Sequence, residues 1–262
     1  MSSRLGPTES FRGRRMNLLG IPKKIDFESP ASWLSRAALS QGVSIKEFRK
    51  FITLHQKADA DMAFTQKYVR HVAKVTNQAA RDFEFVQYVL TSLRILDRHG
   101  GEYLLGDNLN ARYRFCPVCL AEQRIKVFAL EWRFKAWRWC PLHQCMMRDR
   151  CPHCRAFPTL PGDMLNAGLG RAGIATLDRC LCCGELLETG WQSVMNTFDS
   201  SLLNPWGEAL MNNGRAVLSA LACRKIRIKG EEGEFSLSAL RRIQRYGLLP
   251  HGHIASVHDE AV

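Results

Sequence analysis

Cys116-Pro-Val-Cys119, Cys140-Pro-Leu-His143, Cys151-Pro-His-Cys154 and Cys180-Leu-Cys-Cys183 follow one another in fewer than seventy residues. Each is a C-x-x-C or C-x-x-H step, and three carry proline directly after the first cysteine. A two-residue gap lets the chain turn so that both side chains face one ion. Proline fixes φ at the turn, and Gly184 relieves crowding where the backbone curls after the last step. Zinc takes four nitrogen or sulfur ligands in a tetrahedron, so these eight side chains make two closed Zn²⁺ sites. Loops of this length favour sequential ribbons, the first two steps sharing one ion and the last two the other, because local closure costs less entropy. A cross-brace, with the first step joined to the third, is the alternative. Cys182 could stand in for Cys183, but only Cys180 with Cys183 keeps the two-residue spacing.

The ten cysteines read as reduced thiols and metal ligands, since close pairs suit a knuckle whereas disulfides join distant segments. Cys145 and Cys223 are left over and read as small buried side chains. The chain of 262 residues has globular composition and a formal net charge of +12. Two zinc ions with seven thiolates bring that to about +9, still basic. A polyanionic partner follows, nucleic acid first. No apolar run approaches the roughly 20 residues of a spanning helix, and the first residues lack a signal-peptide core. The expected setting is cytoplasmic, without membrane association.

Catalytic zinc is not expected. H-E-x-x-H is absent, and the only H-x-E, His258-Asp259-Glu260, follows every cysteine pair, which is the wrong order for a nucleobase deaminase. Gly168-Leu-Gly170-Arg-Ala-Gly173 matches G-x-G-x-x-G but lies in a loop between metal ligands with no preceding strand. There is no P-loop, so any ATPase involved is another protein.

Upstream, Ser29 and Pro30 open a helix whose Trp33, Leu34, Ala37 and Ala38 share a face, and Gly42 ends it in a left-handed cap. Ser44-Ile-Lys-Glu47 is a capping box opening a second helix, with Ile45, Phe48 and Ile52 inward and Lys46, Arg49, Lys50 and Thr53 outward. Helix, glycine turn and capped basic helix outline a helix-turn-helix, with Lys46, Arg49 and Lys50 as candidate DNA contacts. Amphipathic helices are expected over 61–75 and 79–98, with Phe83, Val86, Val89, Leu90 and Leu93 in the core. Trp132, Trp137 and Trp139 surround the second cysteine step and are expected to pack the ribbon against a helix. A further helix is expected over 205–223, with Trp206, Leu210, Val217 and Leu221 apolar. The basic segment 223–229 and a short helix bearing Arg241, Arg242 and Arg245 offer a second cationic surface. The fold class expected is mainly α with small zinc ribbons. Residues 1–25 form a basic flexible arm (Arg12, Arg14, Arg15, Lys23, Lys24), 26–110 a helix-turn-helix domain, 111–190 a tandem zinc-ribbon domain, and 191–262 a C-terminal helical segment with a flexible tail that holds His251, His253 and His258.

Glu28-Ser-x-x-Ser32-Trp33-Leu34-x-Arg36, Arg114-Phe-Cys-Pro-x-Cys119-Leu120, Trp132 and the four metal steps stand in an order that resembles the TniQ/TnsD target-selection proteins of bacterial transposons. The resemblance implies a non-enzymatic, nucleoid-associated adaptor that links target DNA, or a target-recognition complex, to the AAA+ ATPase regulator of the transposase. In CRISPR-associated transposons, members of this family bind an RNA-guided effector complex and often form homodimers. The eight ligands carry over residue by residue; the DNA contacts do not. The alternative is an autonomous sequence-specific DNA-binding regulator reading its site through the helix-turn-helix.

Overall fold

The computed structural model describes residues 18–106, 111–165, 175–190, 200–228, 232–239 and 254–255; for 200–210 and 254–255 the backbone alone is described. Arg12, Arg14, Arg15, the stretch Gly168 to Gly173, Arg241, Arg242, Arg245, the three tail histidines, and the side chains of Trp206 and Leu210 lie outside these residues. The described residues are mainly helical with small strand pairs.

Helix α1, Pro30–Ser40, begins where the Ser29 hydroxyl accepts the Ser32 N–H at 3.1 Å, with Pro30 in the first turn. Its end is a Schellman turn. Gly42 sits at φ +63°, its N–H reaches the Leu39 carbonyl at 3.0 Å, and the Val43 N–H reaches Ala38 at 3.2 Å. Helix α2, Ile45–Phe51, opens on the capping box: the Ser44 hydroxyl accepts the Glu47 N–H at 3.2 Å, and the Glu47 carboxylate accepts the Ser44 N–H at 3.0 Å. The helix expected over 61–75 is two helices, α3 (Ala60–Ala63) and α4 (Gln66–Thr76). Phe64 breaks them because its ring is driven inward against Trp33, and Thr65 then caps α4 through the Tyr68 N–H. A 3₁₀ turn, Ala80–Phe83, leads into α5, Glu84–Leu96, which buries Val86, Val89, Leu90 and Leu93 as expected.

Beyond α5, β1 (Ala111–Arg112) will pair with β4 (Thr159–Leu160). Between them lie α6 (Pro117–Glu122) and the hairpin of β2 (Trp139–Cys140) and β3 (Cys145–Met146). Helix α7 runs Ser200–Cys223, starting five residues earlier than expected, and leads into β5 (Lys225–Ile228). That strand pairs antiparallel with β6 (Phe235–Ser236) and β7 (Ile254–Ala255). The basic segment 223–229 therefore buries Ile226 and Ile228 between its charges, while Lys225 meets Glu234 at 2.7 Å and Arg227 meets it at 4.0 Å.

Two apolar clusters hold these pieces. The first runs from α1 to the metal-ligand loops, so the expected boundary at residue 110 does not separate two cores. Trp33, fully buried, meets Phe48, Phe64 and Phe83 edge-on at centroid distances of 6.5, 6.4 and 5.0 Å. Phe128 does the same for the ribbon, against Tyr113 at 5.8 Å and Trp132 at 5.5 Å. The second cluster packs α5 on Val217, Ala220 and Leu221 of α7 and on Ile226 of β5, with Phe134 of the ribbon completing it. Here α7 passes the ribbon at Gly214, where a Cβ would stand 2.8 Å from the Trp137 ring. Trp132 and Trp137 thus pack the ribbon inward, as expected.

A buried polar seam fixes the register between helices and ribbon. Glu28, Ser29, Ser32 and Asp61 have no measurable exposure, and Arg133 has 2%. The Arg133 guanidinium donates to Asp61 at 2.6 Å and to both oxygens of Asp59. The Tyr113 hydroxyl lies against Asp61 and Ser29, and Asp61 also accepts the Ala31 N–H at 2.8 Å. Ser32 donates to Glu28 at 2.9 Å and accepts the Phe128 N–H at 3.0 Å, while the Ser29 N–H reaches the Phe128 carbonyl. Arg36 pairs with Glu28 at 3.1 Å and also holds the Lys23 carbonyl. The Glu28–Arg36 motif is thus the dock for the ribbon. This seam also corrects the flexible arm: residues 18–25 lie along the helical core, with Ile21 buried and the Pro22 carbonyl accepting the Trp33 indole N–H at 2.9 Å. Lys24 is 4% exposed, and burial lowers its pKa to about 8.

Candidate metal centres

Each ligand step has a local reason for its shape. In the first, Cys116 is the N-cap of α6, Pro117 takes the first turn, and Cys119 follows one turn along. The other three are knuckles that curl through a left-handed residue directly after the second ligand: Gln144 at φ +46°, Arg155 at +64° and Gly184 at +77°. In the last two knuckles that residue's N–H returns to the first cysteine's carbonyl, Arg155 to Cys151 at 3.1 Å and Gly184 to Cys180 at 2.7 Å. Glycine at 184 marks this conformation in the sequence; glutamine and arginine at the other two positions hide it.

The steps gather in sequential pairs. Cys116, Cys119, Cys140 and His143 form one group, and Cys151, Cys154, Cys180 and Cys183 the other; within each, the ligand atoms lie within 4.8 Å of one another. In the first group the His143 Nδ1 stands 3.4, 3.3 and 3.5 Å from the sulfurs of Cys116, Cys119 and Cys140, and Cys119 is 3.6 Å from Cys140. In the second, Cys151 is 3.7 Å from Cys183 and Cys154 is 3.6 Å from Cys180. A zinc tetrahedron with Zn–S of about 2.3 Å has S–S edges of about 3.8 Å, and S–N edges slightly shorter. Both groups fit that size, and four sulfur or nitrogen donors each make a closed set for zinc. Cys182 is exposed and outside the group.

The thiols compete for protons in these small volumes. Hydrogen bonds from Cys119, Cys140 and Cys145 push the Cys116 thiol far down, and contacts with Cys116 and Cys140 push Cys119 up. The Ala156 N–H holds Cys154 down at about 6. A bound dication would replace those protons and hold both loops closed.

Two participants escaped the sequence reading. Glu122 accepts from His143 Nε2 at 2.9 Å, which fixes the ring so that Nδ1 faces the sulfurs. Its signal was its place three residues after Cys119, on the same face of α6. Cys145, expected among small buried side chains, is buried but also lies 3.7 Å from Cys116, opposite Cys140 in the hairpin.

Of the candidate DNA contacts, Lys46 and Lys50 are exposed on α2, beside a shallow depression that includes Thr53, His55 and Gln56. Arg49 is a correction. It is 7% exposed and turned inward, donating to the carbonyls of His55 at 2.6 Å and Ala58 at 2.5 Å. The loop after α2 folds back and presents bare carbonyls to the helix, so this guanidinium holds the loop and does not face solvent.

Among the described residues no helix is long and apolar enough to cross a membrane. None of the curated proteins compared with the chain matches it. The TniQ family model matches residues 21–147, a span that takes in helices α1 to α6, the polar seam and the whole first metal group, and stops before the second. Across that span the chain carries a match to the TniQ domain, consistent with the TniQ/TnsD resemblance of its motifs.

Proposed function

We propose that this protein is a non-enzymatic, zinc-stabilised adaptor in transposon target selection, joining target DNA or a target-recognition complex to the AAA+ ATPase regulator of a transposase. The observation that carries the reading is the TniQ domain over residues 21–147, built around one of two closed four-donor metal groups. Zinc, when bound, would supply cross-links between distant segments and no reactive water. Cys116, Cys119, Cys140 and His143 would hold one ion, and Cys151, Cys154, Cys180 and Cys183 the other. The residues themselves bind, orient and exclude water: Glu122 orients His143, and the Asp61–Arg133 seam holds the ribbon against the helices. In this reading α1 and α2 form a helix-turn-helix whose exposed Lys46 and Lys50 face a phosphate backbone or a partner.

The test is reconstitution. The zinc-loaded protein, a duplex and the cognate ATPase are run together on size exclusion, and a defined ternary complex is expected. DNA binding by the protein alone is expected to be weak, salt-dependent and similar on target and random duplexes. A preference of roughly 10³ or more for one sequence would replace the adaptor with an autonomous reader. Among the described residues the burial of Arg49 weighs against that second reading, because it removes one of three candidate base contacts on α2.

A further inference from the structure

Four arginines of the ribbons are already engaged. Arg114 donates to the carbonyls of Phe134, Lys135 and Trp137, and Arg133 to Asp59 and Asp61. Arg148 holds the carbonyls of Thr189 and Gly190, and Arg179 holds that of Gly184. Two others differ. Arg112, on β1, places its guanidinium carbon 4.3 Å from the centroid of Phe157, and Arg150, just before Cys151, places its own 4.1 Å from the same ring. Among the described residues neither makes an ion pair, and neither guanidinium donates to a carbonyl.

This geometry is unusual for a purely structural role. One stacked arginine satisfies the electron-rich face of a ring and keeps its flat N–H fork at the rim, open to solvent. A second brings a like charge close to the first, and the two repel. Phe157 itself is held firmly: it leads into β4, which pairs with β1 at Arg112 opposite Thr159, and the Tyr113 N–H binds the Pro158 carbonyl at 3.0 Å. Arg150 is exposed, Arg112 is half-buried, and Arg155 stands exposed on the adjoining knuckle. Forks held over a ring and without an anion match the oxygens of phosphate.

We propose that Arg112 and Arg150, stacked on Phe157, form a phosphate-gripping patch that binds the backbone of duplex DNA without reading its sequence. The patch rests on the reading of DNA as a partner, and it adds a contact at the second ribbon to the one proposed on α2. A chain of formal charge +12 favours a polyanion over a single small anion, because each neutralised phosphate releases condensed counterions.

The test is fluorescence anisotropy of the full-length zinc-loaded protein on a random duplex of about 30 base pairs, titrated from about 50 to 200 mM KCl. The double variant R112Q/R150Q is expected to weaken binding roughly tenfold near 100 mM salt and to lower the slope of log K against log salt by about two. R112K/R150K, which keeps the charge, should retain most of that slope. A double variant that binds with the wild-type Kd and slope overturns the patch while leaving DNA as a partner. A wild-type protein that does not bind DNA at about 50 mM salt overturns both. Zinc content and thermal melting of each variant separate loss of contact from loss of fold. Should the double variant shed zinc, Arg150→Gln alone decides: a slope lower by about one supports the patch, and an unchanged slope ends it.

Discussion

Arg133 carries a full charge into a site 2% exposed and meets two carboxylates there, one of them, Asp61, without exposure of its own. Burial pushes Asp61 up, and Arg133 opposes that shift. Arg133→Met should destabilise the fold by about 3–5 kcal/mol, because it leaves a buried carboxylate without its cation. Adding Asp61→Asn should recover part of that loss, and urea unfolding of the two singles and the double measures the coupling. At Lys24 the native pKa of about 8 lies below the ordinary 10.5. Between those values the unfolded chain holds a proton that the native state lacks, so stability rises as pH climbs from 8 to 10.5. At neutral pH the buried charge costs about 3 kcal/mol. Lys24→Met should raise neutral-pH stability and flatten that alkaline rise in denaturant melts. Glu122→Gln weakens the hold on His143 and should lower metal affinity about tenfold in a chelator competition, the lower end of such effects because Glu122 is exposed.

At the scale of elements, the ends of helices decide more than their middles. Gly42→Ala places a Cβ in open space but in left-handed backbone, and should cost about 1–2 kcal/mol. Gly101→Ala also meets nothing, has no positive φ, and serves as the control in the same thermal melts. The caps at Ser29, Gly42 and Ser44 were legible because donor and acceptor lie within a few residues of each other. The ligand steps were legible for the same reason, and their sequential grouping follows from short loops. The burial of Arg49 was not, since its carbonyl partners belong to a loop whose path no local pattern announces. Phe64 misled for a related reason: an apolar residue in helical register reads as helix until Trp33 draws it out of line. Glu28 and Asp61 could be seen as charges but not as buried ones, because Arg36 lies eight residues away and Arg133 seventy-two.

Over the whole molecule, the metal groups share one apolar cluster with helices α1 to α4, from Trp33 to Cys180. Chelating the metal should therefore remove helical signal at 222 nm together with tryptophan near-UV signal, in one transition. Two separate transitions, with the helices surviving, would show that the ribbons fold as an independent unit. The expected division into four segments rests on local motifs, and local motifs do not reveal that one seam stitches α1 to the chain between Cys119 and Cys140.

That seam has a further consequence. Arg133, Phe128 and Trp132 all lie on the span that the first ion would close, between Cys119 and Cys140. Before closure, Asp59 and Asp61 face one another with no counter-charge, and Ser29 and Ser32 lack the backbone partners that Phe128 provides. Zinc supply would then act as a checkpoint on maturation of the helices themselves. Nascent chains made under zinc starvation should accumulate as protease-sensitive, acidic-cored intermediates, and metal added later should rescue them.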